Sequence, residues 1–112
     1  MEPKYFKPNE IISLKPELVY LLDEARGFAG IPFIITSGYR TEEHNKEVGG
    51  VANSSHLTGD AADLRCGNSA ERMKIVAGLI AAGAPRIGIA KDHVHVDVDE
   101  TKAKGVIFLE YA

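Results

Sequence analysis

The stretch "RIGIAKDHVHVDVD", residues 86–99, decides how the rest of the chain is read. Two β-rich runs, "RIGIA" and "HVHVDVD", are joined by "KD", a connection short enough for a tight hairpin. In the second run, strand alternation puts His93, His95, Asp97 and Asp99 on one face and Val94, Val96 and Val98 on the other. The valine face suits a core. The opposite face, built of imidazole and carboxylate, needs either solvent or a metal ion to satisfy it. A solvated hairpin edge is the plain alternative, and the strand taken alone leaves it open.

Upstream, "SSHLTGDAADLR", residues 54–65, carries the same chemistry. His56 and Asp63 flank Gly59, and Ala61 and Ala62 leave space around the carboxylate for an ion and a substrate. Three of the four histidines, His56, His93 and His95, fall in these two segments, while His44 lies in a charged helical stretch that suits solvent. Neutral imidazole and carboxylate are natural zinc ligands, and three protein ligands with one open position make a catalytic site rather than a structural one. A closed structural site would more often use cysteines. The single Cys66 cannot build one, cannot form an intramolecular disulfide, and reads as a small buried residue. Two histidines and a carboxylate also match the facial triad of non-haem iron, and His95-Val-Asp97 has the His-x-Asp form. No histidine follows His95 to complete that order, so iron ranks below zinc.

Around these segments, Leu14, Leu18, Leu21, Leu22, Ala25 and Ala29 recur at helical spacing, which predicts a helix over 14–29 with Ser13 as N-cap and Gly30 and Pro32 as its stop. "PFIITSG", 32–38, reads as a buried strand, "RTEEHNKEV", 40–48, as helix-compatible, and "GGVANSS", 49–55, as a loop. "GDAADLRC", 59–66, reads as a strand. Ser69 opens a second helix, "SAERMKIVAGLIAAG", and "GVIFLEY", 105–111, is a last strand. Residues 1–12 read as an irregular arm on one domain spanning 1–112. The alternation is that of an α+β fold, a small antiparallel sheet with helices packed against it.

A chain of 112 residues buries about two-thirds of the surface it exposes when unfolded, enough for one core. The net charge of −3 and the lack of any basic block argue against a nucleic-acid partner. No stretch approaches the ~20 apolar residues of a membrane span, and "MEPKYFKPNE" has no apolar segment of the kind a signal peptide needs.

Taken together, "SGYRT", "SSHLTGDAADLR" and "DHVHVDVD" resemble the zinc D-alanyl-D-alanine carboxypeptidase and L-alanyl-D-glutamate endopeptidase family, which includes vancomycin-resistance D,D-dipeptidases and phage endolysins. The shared pattern is Ser-x-His-x-x-Gly-x-x-x-Asp followed by a late histidine, here Ser54, His56, Gly59, Asp63 and His95. The likeness runs over about residues 31–99. It implies a hedgehog/D,D-peptidase-like domain with one Zn²⁺ per chain, held by His56, Asp63 and His95. It makes Asp92, three residues before the last ligand, the catalytic acid–base. Arg40 would serve catalysis and substrate binding, and Ser54 substrate binding.

The activity implied is hydrolysis of a peptide bond in peptidoglycan stem peptides, of D-Ala-D-Ala carboxypeptidase or L-Ala-D-Glu endopeptidase type. Stem peptide or muropeptide would be the partner, and the enzyme is expected to be a monomer. With no signal peptide expected, it would be made in the cytoplasm and meet the cell wall by release or another export route. His93 and Val94 stand where many relatives carry aromatic residues. His93 is then a wall residue or a spare ligand, and Asp97 and Asp99 are supports behind the ligands or solvated. The alternative function is a catalytically inactive, zinc-stabilised binding module of the same fold.

Overall fold

The computed structural model describes residues 2–110. The first long helix, α1, spans Pro16–Ala29 and turns Leu18, Val19, Leu22 and Ala25 inward. It starts later than the leucine spacing predicts. Pro16 takes the first turn, where its missing N–H costs nothing, and Lys15 rather than Ser13 is the N-cap. Ser13 instead adopts φ 60, the left-handed bend that swings the chain into the helix. Residues 2–12, expected to be wholly irregular, include a 3-10 turn at Pro8–Glu10 and are docked: the N–H groups of Lys4 and Tyr5 donate to the Asp23 carboxylate, and Phe6 is buried.

After β1 (Ile35–Ser37) come the short α2 (Glu42–Glu47), capped by Thr41, and a 3-10 turn at Ser55–Thr58. Next are β2 (Ala61–Arg65) and α3 (Ser69–Ala81), which begins where the sequence predicts, with Asn68 Oδ1 accepting from Glu71 N at 2.9 Å. Helices α1 and α3 pack on each other and on one face of the sheet, enclosing Leu64, Ile87, Val94 and Val96 in a single core. Cys66 belongs to that core and carries no exposed thiol.

Strands β3 (Arg86–Ile89), β4 (His93–Asp97) and β5 (Val106–Leu109) complete a sheet of order β1-β2-β4-β3-β5. The β3–β4 hairpin forms as predicted, with Ala90 N donating to His93 O at 3.1 Å across Lys91 and Asp92. Its second strand is not an edge. β4 lies between β2 and β3, so the solvated-edge reading of "HVHVDVD" is overturned. Val94 and Val96 are fully buried on the helix side, and the polar face of β4 is covered too, since His95, Asp97 and Asp99 are all buried.

The last strand corrects the purely antiparallel expectation: β5 runs parallel to β3. Both sides of β4 are already paired, so the returning chain adds at an outer edge of the sheet, here the free side of β3, and one reversal after β4 makes it parallel to β3. Tyr111, which the sequence places in this strand, lies outside the described residues. Among the described residues, no helix is long and apolar enough to cross a membrane.

Candidate metal centre

The antiparallel pairing of β2 with β4 sets Asp63 directly opposite His95. Both side chains rise from the sheet face away from the helices, because their neighbours Leu64, Val94 and Val96 point into the core. The 3-10 turn at Ser55–Thr58 brings His56 over the same spot. Two local devices fix that turn. Ser54 Oγ accepts from His56 N at 3.2 Å, and Gly59 closes the turn at φ 76, where an added Cβ would stand 2.3 Å from Ser13 O. The motif therefore needs glycine here for both conformation and space.

Three donor atoms converge. His56 Nε2 lies 3.4 Å from Asp63 Oδ1, and His95 Nδ1 lies 3.0 Å from the same oxygen. Tetrahedral zinc with bonds of about 2.0–2.1 Å needs ligand-to-ligand separations of about 3.3–3.4 Å, so the trio fits such an ion. The outer side of each ring is already held. His56 Nδ1 donates to Gly38 O at 2.7 Å, and His95 Nε2 donates to Asp97 Oδ2 at 2.7 Å. Those bonds leave Nε2 of His56 and Nδ1 of His95 free to face an ion, the arrangement a metal-binding histidine requires. Asp97 is held in turn by Arg86 Nε at 3.0 Å and by Asp99 N at 3.2 Å.

The same contacts shift the protonation of Asp63 and His95 in opposite directions. Burial opposes the charge on Asp63, but the hydrogen bonds and fields of His56 and His95 outweigh it and hold the carboxyl well below its usual range. Burial likewise opposes charge on His95. Hydrogen bonds to Asp63 and Asp97 overcome it and push the imidazole up to about 9.

The site opens into a cleft of about 1050 Å³ that collects the remaining residues of interest, Arg40, Ser54, Asp92 and His93 among them. Arg40 is turned inward rather than toward Glu42 or Glu43. Its Nε donates to Ser37 Oγ at 3.0 Å, its Nη1 to Asn45 Oδ1 at 3.2 Å, and its Nη2 stands 3.6 Å from Asp63 Oδ2. Asp92 sits at the rim with its side chain 87% exposed, and Oδ1 accepts from His93 Nδ1 at 2.8 Å. The imidazole holds the Asp92 carboxyl below its ordinary range. The far nitrogen of His93, Nε2, faces Asp63 Oδ2 at 3.9 Å, so Asp92 meets the centre by way of His93. His44 is exposed on α2, away from the cleft.

A family model described as Peptidase M15 matches residues 4–99. The chain belongs to the Peptidase M15 family. The fold agrees: the crystal structure of Serratia marcescens L-Ala D-Glu endopeptidase ChiX superposes with a TM-score of 0.69 at 19% identity, over 88% of this chain and 89% of that one. No curated protein matches the sequence. Within the M15 frame the metal-type trio falls on the two motifs that the sequence singles out.

Four contributors escape the sequence reading. Gly38 acts through its carbonyl, which no residue type announces. Arg86 and Phe108 line the cleft beside Asp97 and His95, the guanidinium lying 4.9 Å from the centre of the Phe108 ring. Glu110, at the end of β5, reaches His93 and His95. Its only sequence signal is a carboxylate closing an apolar strand.

Proposed function

We propose that this M15 peptidase is a zinc-dependent hydrolase of peptide bonds in peptidoglycan stem peptides. The observation that carries the reading is the trio His56 Nε2, Asp63 Oδ1 and His95 Nδ1, facing one another at the floor of an open cleft with their outer groups fixed. When bound, zinc supplies a water acidic enough to ionise near neutral pH and polarises the scissile carbonyl. Two neutral imidazoles and one carboxylate leave that ion net positive.

The chain's own residues divide the remaining work. Asp92 serves as the acid–base through His93: the imidazole would take the water's proton at Nε2 while passing its Nδ1 proton to Asp92, and the reverse relay returns a proton to the leaving amine. Arg40, pinned by Ser37 and Asn45, presents its guanidinium beside Asp63, where it binds a substrate carboxylate or the oxyanion of the tetrahedral intermediate. Ser54 keeps its hydroxyl hydrogen to donate to substrate while its oxygen holds the His56 turn. The activity named for the Serratia structure makes the L-Ala–D-Glu bond the first to examine, with D-Ala–D-Ala second.

The test is mass spectrometry of purified peptidoglycan after digestion with zinc-loaded protein, with a chelator-treated control. New stem-peptide fragments that vanish with the chelator are expected. Zinc bound at one per chain without any cleavage would make the protein a binding module, and no zinc bound at all would sink the metal reading.

A further inference from the structure

The donor trio and the Asp92–His93 pair leave one carboxylate in the cleft without a role. Glu110 follows β5, beyond residue 99 where the match to the family model ends, so no motif includes it. Its backbone N–H donates to Ile89 O at 2.8 Å, which extends the β3–β5 pairing by one residue and fixes where the side chain starts. From there Oε2 lies 2.8 Å from His93 Nε2 and Oε1 lies 3.5 Å from His95 Nδ1. His95 Nδ1 is the nitrogen left facing the ion. A carboxylate oxygen at that separation stands one ligand edge away, on the cleft side of the centre. The side chain is 31% exposed, so it is neither core nor free surface.

On the reading that this centre is a zinc peptidase, we propose that Glu110 is a catalytic residue. Its carboxylate accepts a hydrogen bond from the attacking water on the open side of the donor trio, and β5 is therefore part of the active site. Chemistry favours this over an anchoring role. An anchor for the end of β5 would be served by the backbone bond to Ile89, yet one carboxylate oxygen turns toward the inner nitrogen of His95 and the other bonds His93 beside the trio. A protein ligand role fits less well, because Glu110 groups with Asp63 and His93 in a set offset from the trio His56, Asp63 and His95. With His93 held at Nδ1 by Asp92 and at Nε2 by Glu110, the three residues form one line from the rim to the water's place.

The test compares wild-type protein with Glu110→Gln, which keeps the length of the side chain and its backbone bond. Zinc per chain is measured by elemental analysis, zinc affinity by competition with a chelator, melting temperature by circular dichroism, and kcat and KM on a muropeptide. The variant should hold one zinc with affinity within about threefold of wild type and melt within a few degrees of it. It should lose at least ~10²-fold in kcat with KM little changed. Undiminished kcat overturns the proposal, as does a tenfold or greater loss of zinc affinity, which would make Glu110 a ligand. Two zinc ions in wild type and one in the variant would place a second ion on Asp63, His93 and Glu110 and overturn it as well. A melting temperature below the assay temperature would reduce Glu110 to an anchor of β5. Wild-type protein that binds zinc but cleaves nothing overturns the peptidase reading and this proposal together, whereas an active variant overturns this one alone.

Discussion

His93 and His95 differ by two positions on one strand face, yet their surroundings assign them different work. His95 is buried with its outer nitrogen committed to Asp97 and its inner nitrogen to Asp63. His93 is half-buried between Asp92 and Glu110, and its nearest approach to Asp63 is 3.9 Å. His95→Ala should therefore abolish tight zinc binding while His93→Ala largely keeps it, as equilibrium dialysis with metal analysis would show; the reverse outcome would mean the β4 register is misassigned. Asp92→Asn should retain zinc and lose at least ~10²-fold in turnover. Release of zinc by that variant would make Asp92 a ligand and reopen the assignment of Asp63. Arg40→Ala should also keep zinc, with its loss divided between substrate binding and kcat.

At this scale the sequence is informative where chemistry is written in side chains. The spacing of His56, Asp63 and His95 in two short segments is visible, and the fold brings those three together. The Gly38 carbonyl is not visible, because every residue has one. Glu110 is not visible either, because its relevance depends on β5 lying beside β3.

Among the elements, the β3–β4 hairpin and the two helices follow from local patterns: a two-residue connection, alternating valines, and leucines at helical spacing. The placement of β5 does not. It depends on which strand sides remain unpaired once β2 and β3 have flanked β4, a property of the assembled sheet rather than of residues 105–111. The same pairing gives Gly88 its importance. On β3 it lies opposite His95 on one side and Phe108 on the other. A Cβ added there would stand 2.7 Å from Phe108 Cε2 and 3.0 Å from His95 Cβ. Phe108 leans across that gap to meet the His95 ring edge-on at 5.7 Å. Gly88→Ala should push Phe108 off His95 and cost about 1–3 kcal/mol by overpacking. Chemical denaturation should show that loss together with weaker zinc binding. A variant with unchanged zinc affinity would mean that Phe108 does not steady the ligand.

For the whole molecule, the centre couples protons to stability and, on the proposed zinc reading, to metal as well. In metal-free protein the folded state holds the His95 proton up to about pH 9, against an ordinary imidazole value near 6.5, so this group stabilises the fold fully below about pH 6.5 and ceases to as pH rises through about 9. Asp63 is shifted the other way, and its contribution is present above the ordinary carboxylate range near 3.8 and lost as pH falls below it. The metal-free protein should therefore lose stability between pH 6.5 and 9. Zinc competes for the same nitrogen that the proton occupies, so binding at pH 7 should release about one proton from His95 and tighten as pH rises. Zinc at one hundred times its Kd adds about 2.7 kcal/mol to the folded state, and the Kd itself falls with pH across this window. The gap in melting temperature between zinc-loaded and chelator-treated protein should accordingly widen from pH 6 to pH 9, with the metal-free protein supplying the falling curve. A gap that stays constant over that range would show that His95 carries no exchangeable proton in the metal-free fold, and that its inner nitrogen is held open for the ion by packing rather than by charge.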